Sequence, residues 1–205
     1  MQDYTQASDG ASSTTAGFEG MVSSGTVSEI QPRCDALAAR ILKGAEARGF
    51  KIAAAESLTG GLLADAFVRI PGASDVFLGS AVTYDIHAKA SVLGVDADLL
   101  NRKGAVYPEV ARQMALRTSQ LYRQPQYGDK VLGLSTTGVA GPGSDGDKPA
   151  GLVYIGISVP ARSVADTRRT TTAELRLSGS REEVRRLTVL NVLQFVTQLT
   201  ALTEE

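Results

Sequence analysis

The sequence predicts an α/β fold, a mixed sheet covered by helices in one layered domain. Three observations carry this. Segments of helical period alternate along the chain with short apolar or alternating runs. Glycine, proline and polar clusters separate them. Two late segments, Leu152–Val159 and Arg168–Leu177, alternate as strands and suit a hairpin.

The elements follow in order. Pro32 suits the first turn of a helix and Gly49 its end. Between them Leu37, Ile41, Leu42 and Ala45 recur at helical spacing. Lys51–Glu56 (KIAAAE) reads as a short buried strand, and Thr59–Ile70 as a helix stopped by Pro71-Gly72. Phe77–Thr83 is a strand. Ile86–Leu93 and Asp96–Arg102 are short helices, and Pro108–Tyr122 is a longer one with Val110, Met114 and Leu121 on one side. Val131–Ser135 is a buried strand. After the hairpin, Ser180 and Glu183 form a capping-box pattern ahead of a helix whose stripe is Leu187, Leu190, Leu193, Val196 and Leu199.

Residues 1–31 differ from the rest. Fourteen are Ser, Thr or Gly, none is Lys or Arg, and four are acidic. Such a segment has too little apolar surface to offset the entropy of ordering, so a flexible tail is expected, with the folded domain at 32–205. With the tail's four acids set aside from the net charge of −1, residues 32–205 carry +3. That mild excess suits a small anion and gives no sign of nucleic acid. No stretch approaches the roughly 18 apolar residues of a membrane span, and no signal peptide is evident, so a cytoplasmic address is expected.

Of 205 residues, one is Cys (Cys34) and one is His (His87). A single Cys makes no internal disulfide. One Cys and one His do not build the usual zinc spheres, so neither metal nor cofactor is expected. A Ser-His-Asp triad would have to use His87. If the protein is an enzyme, its proton carriers are expected among Lys, Tyr, Asp and Glu.

Four segments carry candidate chemistry. In Ala55–Gly61 (AESLTGG), Ser57 follows a strand at a helix start, where free amides stabilise an oxyanion or phosphate. Thr59, Gly60 and Gly61 belong to the same turn, and a simple helix cap would use the same residues. In Val82–Lys89 (VTYDIHAK), Tyr84 and Lys89 are candidate proton carriers. As a base, Lys89 would need its pKa lowered by about two to three units from roughly 10.4. The run Thr136–Gly143 (TTGVAGPG) leaves a strand end, where open α/β sheets bind ligands, and its glycines suit an anion cradle; a plain connection would read alike. It matches neither the dinucleotide fingerprint nor the P-loop. Finally, Ser178–Arg186 (SGSREEVRR) puts Arg181 and Arg185 on one helical face near a helix start, as an anion site or a solvated face would.

Taken together, AAAESLTGG, VTYDIHAK followed by LGV, KGAV, TTGVAGPGS…KPAG and SGSREEVRR resemble the C-terminal domain family of the competence/damage-inducible protein CinA. The resemblance runs from about Arg33 to Leu199. It implies an α/β fold and, as in the family's stand-alone nicotinamide-nucleotide amidases, hydrolysis of the carboxamide of nicotinamide mononucleotide to nicotinate mononucleotide and ammonia. It implies Ser57 as nucleophile, Lys89 as general base and Tyr84 beside it. Thr137 matches a site hydroxyl and Arg181 an arginine near the substrate, with Arg185 a further candidate. Gly138 and Gly141 would approach the substrate with Gly60 and Gly61. The implied partners are a small-molecule pyridine nucleotide and a second copy of the chain, with a dimer favoured.

Two positions depart from the family pattern. Leu58 stands where many members carry Cys, and its side chain is expected in the core. Tyr107 stands where a small Ser is usual, and its phenol is expected to fill or reshape a pocket. That departure keeps open a nucleotide-binding module without turnover, and a hydrolase of another amide.

Overall fold

The computed structural model describes residue 22, residues 24–161 and residues 166–200. The tail expected over 1–31 therefore lies largely outside the described residues, but its boundary needs correction. Helix α1 spans Val27–Ala47, not Pro32 onward. Thr26 and Glu29 make the same capping-box pattern that marks the last helix, and the Glu29 carboxylate accepts from the Thr26 amide at 3.0 Å. Those bonds hold the Glu29 carboxyl below the usual carboxylate range. Pro32 falls inside the helix and gives up one intrahelical bond. Ile30 is buried, and Val22 exchanges two hydrogen bonds with the Asn191 side chain, so the folded body begins ahead of residue 32. Gly49, at φ +65°, does end α1: its amide reaches Glu46 and the Phe50 amide reaches Ala45, a Schellman pattern.

Five strands follow among the described residues: β1 (Lys51–Glu56), β2 (Phe77–Val82), β3 (Val131–Gly138), β4 (Leu152–Val159) and β5 (Arg169–Arg176). They form one sheet in the order β2-β1-β3-β4-β5. β1 runs parallel to both β2 and β3, whereas β4 and β5 are antiparallel, the last two as the expected hairpin. The sheet is thus mixed. β3 runs three residues past the expected Ser135 because Thr136, Thr137 and Gly138 pair with Ile155, Tyr154 and Val153 of β4.

Helices cover both faces. α1, α2 (Leu62–Val68) and α6 (Arg181–Thr200) pack on one side, over a core that includes Ile41, Ile52, Leu132, Ile155, Leu190 and Phe195. α5 (Pro108–Leu121) lies on the other, with the short α3 (Ile86–Ser91) and α4 (Ala97–Lys103) around a smaller cluster of Ala55, Leu99, Val110 and Met114. Gly133 and Gly156 let α5 lie close to the sheet: a Cβ at either would meet the Ala115 or Ala111 carbonyl. The same contact is tied by Ser135 Oγ, which donates to the Ala111 carbonyl at 2.7 Å, and Thr118 Oγ1, which donates to that of Ala54 at 3.0 Å.

Helix α2 is shorter than the sequence suggests. Gly60 and Gly61 take φ of +53° and +98°, so Ser57–Gly61 is a turn and the helix starts at Leu62. This places Ser57 at the carboxyl end of β1, beside the end of β3. Connections leave β1 and β3 in different directions there, the switch point at which open α/β sheets build sites.

Candidate active site

The buried run of β1 closes on Glu56, the last residue paired in the sheet, and Ser57 opens the next turn. Ser57 is 8% exposed and its amide donates to the Thr136 carbonyl at 3.0 Å, which pins it to β3. Lys89 arrives from α3. The Asp85 side chain caps that helix, accepting from the His87 and Ala88 amides at 2.9 and 3.0 Å. Lys89, four residues after the cap, is wholly buried while His87 is exposed.

Lys89 Nζ lies 3.0 Å from Ser57 Oγ, 2.6 Å from the Thr83 carbonyl and 3.3 Å from the Tyr84 carbonyl. Burial removes water from the ammonium and pulls its pKa down to about 8, against a smaller opposing pull from Asp85. A neutral lysine has two N–H donors and one lone pair. With the two carbonyls taking the donors, the lone pair is left for the Ser57 hydroxyl. The geometry therefore suits proton removal from Ser57.

The turn after Ser57 is organised by a residue that sequence reasoning passed over. Glu56 is fully buried, and its carboxylate accepts five hydrogen bonds: from Thr59 Oγ1 (2.7 Å), the amides of Gly61, Leu63 and Ala64 (2.9, 3.0 and 2.9 Å) and Ser80 Oγ (2.8 Å). The signal was an acid closing an alanine run at a strand end, where an isolated charge must find partners. This changes the expected roles nearby. Thr59 is buried and its hydroxyl is committed to Glu56 and Thr136. The amides of Gly61, Leu63 and Ala64 are taken by the Glu56 carboxylate and that of Leu62 by the Thr59 carbonyl, so that helix end does not cradle a substrate anion. Gly60 donates to the Ser57 carbonyl and supplies the left-handed turn. Among the described residues the Leu58 and Thr59 amides, which follow the serine in the turn, have no protein acceptor, so they are the candidate donors to an oxyanion. Leu58 itself is buried in the core, as expected.

Arg185 is likewise structural. Its Nε and Nη2 donate to the Leu58 and Thr59 carbonyls at 2.9 and 2.8 Å, and Nη1 pairs with Glu182 at 2.8 Å. It clamps the turn from α6 and is not among the residues that line the cleft of the 138–145 loop. Thr137 is buried, and its hydroxyl donates to the Ala105 carbonyl at 2.7 Å, tying the KGAV segment to β3. Gly138 is required by close approach of β4, since a Cβ there would meet the Leu152 carbonyl at 2.7 Å.

The structure does bring Tyr84, Gly138, Gly141 and Arg181 together. With the rest of the 138–145 loop they line an open cleft of about 240 Å³. Arg181 spans its mouth, donating to the Gly141 carbonyl at 2.6 Å and the Tyr84 hydroxyl at 3.1 Å. Tyr84 is 63% exposed; its carbonyl, not its phenol, meets Lys89. Tyr107 does not border this cleft. It lines a separate hollow between α4, α5 and β5, under the Lys103 ammonium. The phenol expected to fill or reshape a pocket thus lines this hollow and not the cleft beside the loop.

A mixed five-stranded sheet between two helical layers, with a Ser57–Lys89 contact at its switch point, defines a single-domain α/β protein. The family follows from comparison: residues 34–200 match the CinA C-terminal domain model, and the chain belongs to that family. A competence-damage inducible protein of Caldanaerobacter subterraneus subsp. tengcongensis is 43% identical over 157 residues, 76% of this chain and 35% of that protein. The chain thus spans about a third of the length of the curated relatives it matches. Solved structures agree. The competence/damage inducible protein CihA from Agrobacterium tumefaciens superposes with TM-score 0.70 at 33% identity, covering 84% of this chain and 96% of that one. The competence damage-inducible protein A (ComA) from Klebsiella pneumoniae gives 0.72 at 27%, covering 82% and 97%. Among the described residues no helix is long and apolar enough to cross a membrane.

Proposed function

We propose that the protein is an amidohydrolase acting on the carboxamide of a pyridine nucleotide, nicotinamide mononucleotide, by acyl transfer through Ser57. The observation that carries this reading is the 3.0 Å contact between a buried Lys89 and Ser57 Oγ. Neutral Lys89 takes the hydroxyl proton as Ser57 Oγ bonds to the carboxamide carbon. The oxyanion faces the Leu58 and Thr59 amides. The C–N bond then breaks as the Lys89 ammonium returns its proton to the departing nitrogen, releasing ammonia. Water attacks the acyl-serine, again losing its proton to Lys89, and nicotinate mononucleotide leaves as Ser57 recovers its hydrogen.

The 5′-phosphate fits the cleft of the 138–145 loop with Arg181, the exposed cation at its mouth. The Tyr84 phenol, held by Arg181, then touches substrate and does not relay the Lys89 proton. Tyr107, the feature that favoured a binding-only module, sits outside this cleft, so that reading loses its support. The proposal also carries a homodimer, checked by light scattering of the purified chain. The deciding experiment is ammonia release from nicotinamide mononucleotide, nicotinamide riboside and free nicotinamide. Turnover of the mononucleotide alone supports the reading; turnover of none of the three, or of the phosphate-free compounds equally well, contradicts it.

A further inference from the structure

We propose that Glu56 is a positioning residue for the nucleophile, acting through a directed relay of hydroxyls that ends on the Ser57 backbone; the proposal rests on the Ser57–Lys89 reading above. The direction of the relay follows from donor counting. A carboxylate only accepts, and every partner of Glu56 is a donor, two on Oε1 and three on Oε2. Thr59 must therefore give its hydroxyl proton to Glu56. The 2.8 Å contact between Thr59 Oγ1 and Thr136 Oγ1 then uses the Thr136 proton. Thr136 Oγ1 is left as an acceptor, and it faces the Ser57 amide at 3.4 Å, beside the 3.0 Å bond from that amide to the Thr136 carbonyl.

The consequence is geometric. Thr136 sits in the register partner position to Glu56, so the relay crosses from β1 to β3 and back to the residue after Glu56. Meanwhile the carboxylate gathers the Gly61, Leu63 and Ala64 amides, which closes the turn and leaves the Leu58 and Thr59 amides as its open donors. One buried acid thus fixes the backbone that carries Oγ and the donors that would face an oxyanion. It shares no hydrogen bond with Lys89, whose partners are Ser57 Oγ and the Thr83 and Tyr84 carbonyls.

The test uses a fluorophosphonate, a serine-reactive probe independent of the natural substrate. Capture forms an Oγ–P bond at Ser57 and breaks the P–F bond, the hydroxyl proton passing to Lys89 and fluoride leaving. In Glu56→Gln an amide nitrogen must face a donor on one side or the other. Thr136→Val cuts the relay at the Ser57 end, and Thr136→Ser keeps the hydroxyl. Displacement of a reacting atom by about 1 Å costs on the order of 10²-fold in rate. The capture rate is expected to fall by roughly 10- to 10²-fold in Glu56→Gln and Thr136→Val, to recover in Thr136→Ser, and to keep its pH midpoint near the wild-type value throughout. Unchanged rates in Glu56→Gln or Thr136→Val overturn the proposal. So does a Thr136→Ser variant as slow as Thr136→Val, or a midpoint that moves with the rate. If Glu56→Gln does not fold, the Thr136 pair decides alone. Absence of capture at Ser57 in the wild-type chain overturns the Ser57–Lys89 reading and this proposal with it, a result separate from any failure of the variants.

Discussion

Lys89 Nζ and Ser57 Oγ lie 3.0 Å apart although 32 residues separate them, and the lysine reaches the serine from a six-residue helix capped by Asp85. The carbonyls of Thr83 and Tyr84 take its other hydrogen-bonding positions. The turn that carries the serine is held by the Glu56 carboxylate and by Arg185, which donates to the Leu58 and Thr59 carbonyls.

Activity should follow the neutral form of Lys89. Because burial lowers its pKa to about 8, kcat is expected to rise through pH 8 and level off above it. A pH profile flat from 6 to 9 would contradict this. The same shift has a stability consequence. A lysine depressed in the folded state binds fewer protons there than when unfolded, so folding stability gains as pH rises from about 8 toward its ordinary value of 10.5 and loses as pH falls back. The stability of wild type relative to Lys89→Met should therefore rise with pH across that window, which melting curves of the two proteins check.

Lys89→Ala should lower kcat by about 10²- to 10⁴-fold, the usual contribution of a general base. Lys89→Arg should not rescue it, because a guanidinium stays protonated. Steady-state kinetics on folded variants checks both.

The two arginines of α6 should separate. Arg181→Ala is expected to raise KM several-fold and leave fluorophosphonate capture of Ser57 unchanged, since the residue spans only the cleft mouth. Arg185→Ala removes the partners of two carbonyls in the nucleophile turn. It should cost about 1–3 kcal/mol in a denaturation titration and slow capture as well.

The corrected start of α1 predicts that Ile30→Ala destabilises the fold by about 2–5 kcal/mol, as a buried isoleucine should. A freely flexible 1–31 segment would show no change by chemical denaturation. Tyr107→Ser, in the separate hollow, should leave KM for the mononucleotide as it is in wild type.

Much of the architecture was legible in local pattern. Lys51–Glu56 and Leu152–Val159 are strands to the residue because their apolar runs end at turn-forming clusters. The ends of α1, α2 and β3 were less so. Pro32 is a weaker marker than the Thr26–Glu29 box, two positive-φ glycines delay α2, and β3 is extended by a partner strand that local sequence does not reveal. Of the site, Ser57 and Lys89, which the family resemblance singled out, lie in hydrogen-bonding contact. The destinations of Thr59, Thr137, Gly61 and Arg185 were hidden, because residue type says that a group bonds hydrogen and not with what. Glu56 was overlooked for the same reason: its five partners come from β2, the turn and α2, and converge only after folding.

The most direct test of the central claim is ammonia release from nicotinamide mononucleotide by Ser57→Ala beside wild type, with both shown to be folded by melting temperature. Turnover is expected from the wild-type chain and none above background from the variant. Ammonia release by Ser57→Ala at the wild-type rate would contradict it.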